Sequence, residues 1–183
     1  MADEHAVARE NRLYLLLSAP QEVNRLNVAV TKKILDNGCK PLVISLNQPG
    51  RVISKTYAKA GILPEMYYVV DAVTRYSGGE MVPMPQIRYV NHPADLTGLG
   101  IAVTETLKAM PPVHKCILFD SLSLLLIHTP TITAAKFLHF LINNLRLAET
   151  SGIILSADVG IDPVILSQIS TFVDSIITFD KMR

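Results

Sequence analysis

Asp120 is the residue whose position most strongly suggests chemistry. It closes the apolar run of KCILFDSLS (115–123), after which the sequence predicts a turn through two serines. Nucleotide hydrolases hold Mg2+ with an aspartate placed in this way, because a hard cation takes oxygen ligands. What such an aspartate serves depends on the segment after the first strand. A phosphate-binding loop reads GxxxxGK[ST]. Its glycines let backbone N–H groups wrap the phosphates, its lysine neutralises their charge and its hydroxyl ligates the metal. Here the corresponding stretch is SAPQEVNRL (18–26), with no glycine and no lysine. With Ser18 at the first glycine, Val23, Asn24 and Arg25 stand where GK[ST] would be, and Glu22 adds negative charge. A helix start at residues 20 to 22 would still offer N–H groups to a small anion.

Other polar side chains fall where apolar runs end. They are Ser18, Asn47 with Gln48, Asp71 with Thr74 and Arg75, Ser121, and Ser156 with Asp158. Ligands of open parallel sheets bind outside the carboxyl ends of the strands, so these residues form the candidate rim. Other chemistries lack support. His5, His92, His114, His128 and His139 make no i, i+4 pair, and no GxSxG elbow is present. Cys39 and Cys116 have no CxxC spacing and read as reduced cysteines of a cytoplasmic protein. A net charge of +1, with dispersed basic residues and 6% aromatics, argues against nucleic acid. No apolar run has a membrane helix's length, and MADEHAVARENR lacks the apolar core of a signal peptide.

The elements that must position these residues alternate. Apolar runs at 12–18, 41–46, 66–71, 115–120, 152–157 and 174–179 predict strands. Helices are predicted over 21–37, 51–60, 95–110, 131–150 and 162–170, with Asp95 and Asp162 as N-caps. LYLLL, LVISL, CILF and IIL are continuous apolar runs, the pattern of parallel strands buried on both faces. That accounts for much of the 49% apolar and 18% charged composition. Residues 72–94 are predicted to be a long loop with a strand-like island at Ile87 to Val90. Its apolar content, and Gly98 and Gly100 in the helix that follows, suggest a contact surface, most simply that of a homo-oligomer, where another strand, another subunit or a ligand approaches closely.

FDSLS, in this order of elements, resembles the aspartate strand of the RecA superfamily and in particular its KaiC-like branch. DSIITF is similar to that family's late strand, and NHPADLTGLGIAVTETL (91–107) resembles a motif of archaeal KaiC-like proteins that often lack the phosphate loop. The resemblance covers most of the chain. It implies a single degenerate RecA/KaiC-like domain over 1–183, an α/β fold built as a RecA-like three-layer α/β/α sandwich with a mostly parallel sheet. Active members usually end the second strand in glutamates, one of which orients the attacking water. Asn47 and Gln48 occupy those positions here, and amides cannot accept that proton. Of the family's functional residues only Asp120 carries over.

The implied function is non-catalytic: a regulatory or signalling module that binds itself or a protein partner, without a cofactor. Asp120 would then be a strand-end cap whose partners are Ser121, Ser123 or backbone N–H groups. The alternative is a non-standard ATP- or GTP-binding protein, with Mg2+ on Asp120 and with Ser18, Asn47, Gln48 and Ser121 around the nucleotide.

Overall fold

The computed structural model describes residues 11–179, so the reading of the first ten residues lies outside it. The strands are β1 (Leu13–Ser18), β2 (Lys40–Ser45), β3 (Tyr68–Asp71), β4 (Ile87–Tyr89), β5 (Lys115–Asp120), β6 (Ser151–Ala157) and β7 (Ser175–Phe179). The helices are α1 (Val23–Asp36), α2 (Gly50–Lys59), α3 (Leu96–Ala109), α4 (Leu122–His128), α5 (Thr131–Leu147) and α6 (Pro163–Ser170). The strands form one sheet in the order β4-β3-β2-β5-β6-β1-β7, and every pairing is parallel.

The direction of chain travel explains the two helical layers. Right-handed crossovers place helices on one face when the chain moves one way along the sheet and on the other face when it returns. α1 and α2 join β1 to β2 and β2 to β3, and they cover one face with Ile34, Ile53 and Tyr57 over Val43, Val69, Cys116 and Leu118. α3 to α6 lie on the return path. They cover the opposite face, with Leu99, Leu122, Leu138 and Ile165 over Leu15, Ile44, Ile117 and Phe119. No helix among the described residues is long and apolar enough to cross a membrane. Both cysteines are buried and neither forms a disulfide.

Three local features depart from the sequence reading. α4 occupies LSLLLIH, where a simple turn was expected. Leu122 and Leu125 are fully buried, so packing holds a short helix that no periodicity announced. β3 begins two residues later than predicted, because Pro64–Met66 forms a 3-10 turn ahead of it. The close approach at Gly98 comes from this chain itself. Asp95 accepts the Gly98 N–H at 2.8 Å, and a Cβ there would lie 2.3 Å from Asp95 Oδ2. The long loop is also partly tied down: Ala72, Val73 and Thr74 are buried, and Tyr89 donates to the Val82 carbonyl at 2.8 Å.

Asp71 organises the end of β3. Its Oδ1 accepts from Val73 N (2.8 Å) and Thr74 N (2.9 Å). Its Oδ2 accepts from Gly50 N and Thr74 Oγ1, both at 2.6 Å. The carboxylate thus fastens the start of α2 to the first turn of the loop. Asp71→Ala would leave three buried N–H groups without acceptors, at about 1–3 kcal/mol each. A loss of at least about 3 kcal/mol in urea unfolding is expected.

Candidate functional site

Strand register brings three polar side chains into one row. Ser45 pairs with Asp71 on one side and with Asp120 on the other. Strand alternation turns all three towards the α1–α2 face, because Val43, Val69 and Leu118, two residues earlier, pack there. β2 and β5 also send their following helices to opposite faces, which opens a crevice beside Asp120.

A cavity of about 210 Å3 occupies this crevice. Its lining includes Asn24, Asn27, Gln48, Thr56, Tyr57 and Asp120. Asp120 is 2% exposed. Its Oδ2 accepts from Asn27 Nδ2 at 2.7 Å, whereas its Oδ1 has no hydrogen-bond partner among the described residues. Burial pushes its carboxyl up to about 6, against the opposing pull of the Asn27 and Asn47 amides. The Asn47 Nδ2 itself donates to Asn24 Oδ1 at 2.6 Å, so its help to Asp120 is electrostatic and not a well-formed bond to Oδ1.

Behind Asn27 lies a buried relay. Tyr57 OH lies 2.6 Å from Asn27 Oδ1 and 2.7 Å from Thr31 Oγ1, and Thr31 Oγ1 lies 2.8 Å from the Asn27 carbonyl. Two hydroxyl protons serve these three contacts, so the hydroxyls can reorient but cannot satisfy all of them at once. Burial pushes the Tyr57 phenol well above its ordinary value, so it stays neutral. The relay holds the Asn27 amide with its N–H2 towards Asp120.

The connection from β1 to α1 is short. Pro20–Glu22 forms a 3-10 turn that runs straight into α1, with no extended loop. Glu22 is buried at the helix start, where its Oε2 accepts from Arg25 Nε at 2.5 Å. A small anion there would meet this carboxylate, so the geometry does not support an anion site at residues 20 to 22.

Of the residues singled out from the sequence, Asp120 and Gln48 share the cavity, and Asn47 acts on Asp120 from its rim. Ser18 does not join them. It pairs with Ala157, whereas Asp120 pairs with Leu155, and β6 lies between the two strands. That is a lateral separation of about 10 Å. The expected Ser121 and Ser123 partners of Asp120 are a correction. Their hydroxyls lie 3.2 Å from each other, and Ser123 Oγ accepts the Ala157 N–H at 3.4 Å. Ser121 is the N-cap residue of α4. Asn27 and Thr31 were missed, although a signal existed. They are polar residues in the stripe Val23, Asn27, Thr31, Ile34, whose other members are apolar and all of whose members are buried.

A larger hollow, about 560 Å3, lies between α3 and α5. Leu96, Ile101, Phe137 and Phe140 line it, on the face of the sheet opposite the row of Ser45, Asp71 and Asp120. No group of three or more His, Cys, Asp or Glu residues among those described could hold a metal ion.

A family model described as a family of unknown function, DUF7504, matches residues 43–179. No curated protein matches the chain. Among solved structures, the uncharacterized protein PH0321 of Pyrococcus horikoshii, in complex with an unknown peptide, is similar with a TM-score of 0.69 at 13% identity. The match covers 93% of this chain and 78% of that one. The KaiC-like protein PH0186 of Pyrococcus horikoshii OT3 is similar with a TM-score of 0.68 at 13% identity, over 96% of this chain and 76% of that one. The fold is therefore the RecA-like three-layer sandwich of KaiC-like proteins, as the FDSLS resemblance implied.

The Asp120 environment predicts a pH dependence of stability. The folded carboxyl holds its proton up to about pH 6, while the unfolded one releases it near 3.8. Between those values the folded state binds more protons, so stability falls as pH rises, by about 3 kcal/mol in all. Asp120→Asn carries no charge. Its urea midpoint at pH 7 should exceed that of the wild type and vary less between pH 4 and 6. An Asn variant less stable at pH 7, with the wild-type slope, would show that the charged carboxylate is satisfied.

Proposed function

We propose that this chain, which belongs to the DUF7504 family, is a non-catalytic RecA-like module that acts in regulation or signalling by associating with itself or with a protein partner. The observation that carries the reading is the Pro20–Glu22 turn. Phosphate binding on this type of fold needs a backbone loop wide enough to wrap oxygens, and a lysine to neutralise them. The turn has neither, and Glu22 opposes an anion. Asn47 and Gln48, at the end of β2, supply amides and no base for a hydrolytic water. The chain is thus read as a single degenerate domain and an inactive homologue of ATPases, without a cofactor. Its two buried cysteines suit a cytoplasmic location. That PH0321 was solved with a peptide supports a protein-binding role for the fold.

A second reading, nucleotide with Mg2+ at Asp120, is favoured by the unpartnered Oδ1. The donor set fits it poorly. One carboxylate and several amides face the cavity, and Ser18 stands two strands away. Calorimetric titration of the chain with Mg-ATP and Mg-GTP decides between the two. No saturable heat and no phosphate release above background are expected. Mg2+-dependent binding that is lost in Asp120→Asn would establish the second reading instead.

A further inference from the structure

We propose that the outer edge of β7 is a self-association surface, where two copies pair antiparallel about a two-fold axis at Ile177. This rests on the reading of the chain as an association module and names its surface.

β7 ends the sheet, and among the described residues it pairs only with β1. The start of the strand is pinned: Asp174 accepts the Leu13 N–H at 2.8 Å and an Arg146 N–H at 3.1 Å. From Ser175 to Phe179 the sequence is SIITF. Edge strands are usually blunted by a charge, a proline or a bulge, because unpaired N–H and C=O groups recruit another strand. This strand has no charge and no proline, and its β-branched residues favour extended pairing. Its faces are apolar as well. Ile177 and Phe179 lie towards α1 and, with Tyr14, Leu16, Val30 and Ile153, line a groove of about 280 Å3. α1 packs over β2, β5 and β6 and reaches β7 at its end, where the Arg25 guanidinium lies 5.7 Å from the centroid of the Phe179 ring, and Ile177 and Phe179 stay partly exposed. On the other face Ile176 is 38% exposed.

The occupant is identified by the strand's own size pattern. In an antiparallel pair centred on Ile177, Ser175 of each copy faces Phe179 of the other, and the two Ile177 side chains meet on the axis. On the opposite face Ile176 meets Thr178 of the second copy. Cross-strand partners stand about 4.5–5.5 Å apart, so small opposite large gives an even layer. No charge on the strand repels its counterpart. The two grooves would join into one apolar layer bounded by the two α1 helices, and the joint is isologous and therefore closed at two copies.

Light scattering of the full chain tests this. A mass of about twice 20.1 kDa is expected over a wide concentration range. Ile176→Lys with Thr178→Lys sets lysines opposite one another across the joint at exposed positions, and should give a monomer with unchanged far-ultraviolet circular dichroism. Ile177→Lys and Ile177→Glu should each be monomeric, and their mixture should recover the dimer, which a misfolded variant cannot do. A monomeric wild type, including one that instead takes up an extended apolar peptide, overturns the proposal. So does a dimer that survives these substitutions. Nucleotide binding, which would overturn the reading above, is measured separately and does not alter this outcome.

Discussion

A carboxylate at the end of a doubly buried strand must be saturated with donors, kept protonated or used. Asp71 and Asp120 stand level with Ser45 in neighbouring strands and resolve that constraint in opposite ways. Asp71 takes four hydrogen bonds from its own turn and from the start of α2, so its charge is spent on architecture. Among the described residues Asp120 has one well-formed side-chain donor, on a helix 93 residues away in sequence, and an oxygen with none. The desolvation cost of that charge is only partly offset. Crossover handedness places α1 on this face, and the polar stripe within it carries Asn27 to Asp120.

On the same face β1 passes into α1 through a 3-10 turn. An extended loop between β1 and α1 would keep the first turn of the helix open to a ligand. A 3-10 turn stands there instead, and the buried Glu22 at the helix start accepts from Arg25. The helix dipole at that end then meets a protein carboxylate where a phosphate would otherwise be favoured. Beside it lie a small polar cavity and a sheet held by apolar layers on both faces.

Much of the organisation was legible in the chain. Continuous apolar runs and helical spacing determined the parallel sheet with helices on both faces, and FDSLS pointed to the RecA-like fold. Asp95 and Asp162 could be read as caps because an N-cap is a local hydrogen bond. The absence of glycine and lysine after β1 was also a matter of composition alone. α4 could not be read in this way. Its short run LSLLLIH announces no helical period, and burial of Leu122 and Leu125 decided its form.

The partners of Asp120 were decided only by tertiary structure. Neighbouring serines are near in sequence, but after the strand end Ser121 starts α4 and Ser123 turns towards β6, while α1 crosses above the carboxylate. Ser18 was likewise placed by register, two strands away from the residues it was expected to join. Sequence determines which residues end a strand, because periodicity and turn chemistry are local. Which strand ends stand side by side, and whether a buried charge finds a donor, depends on strand order and helix crossing, which only the folded sheet sets.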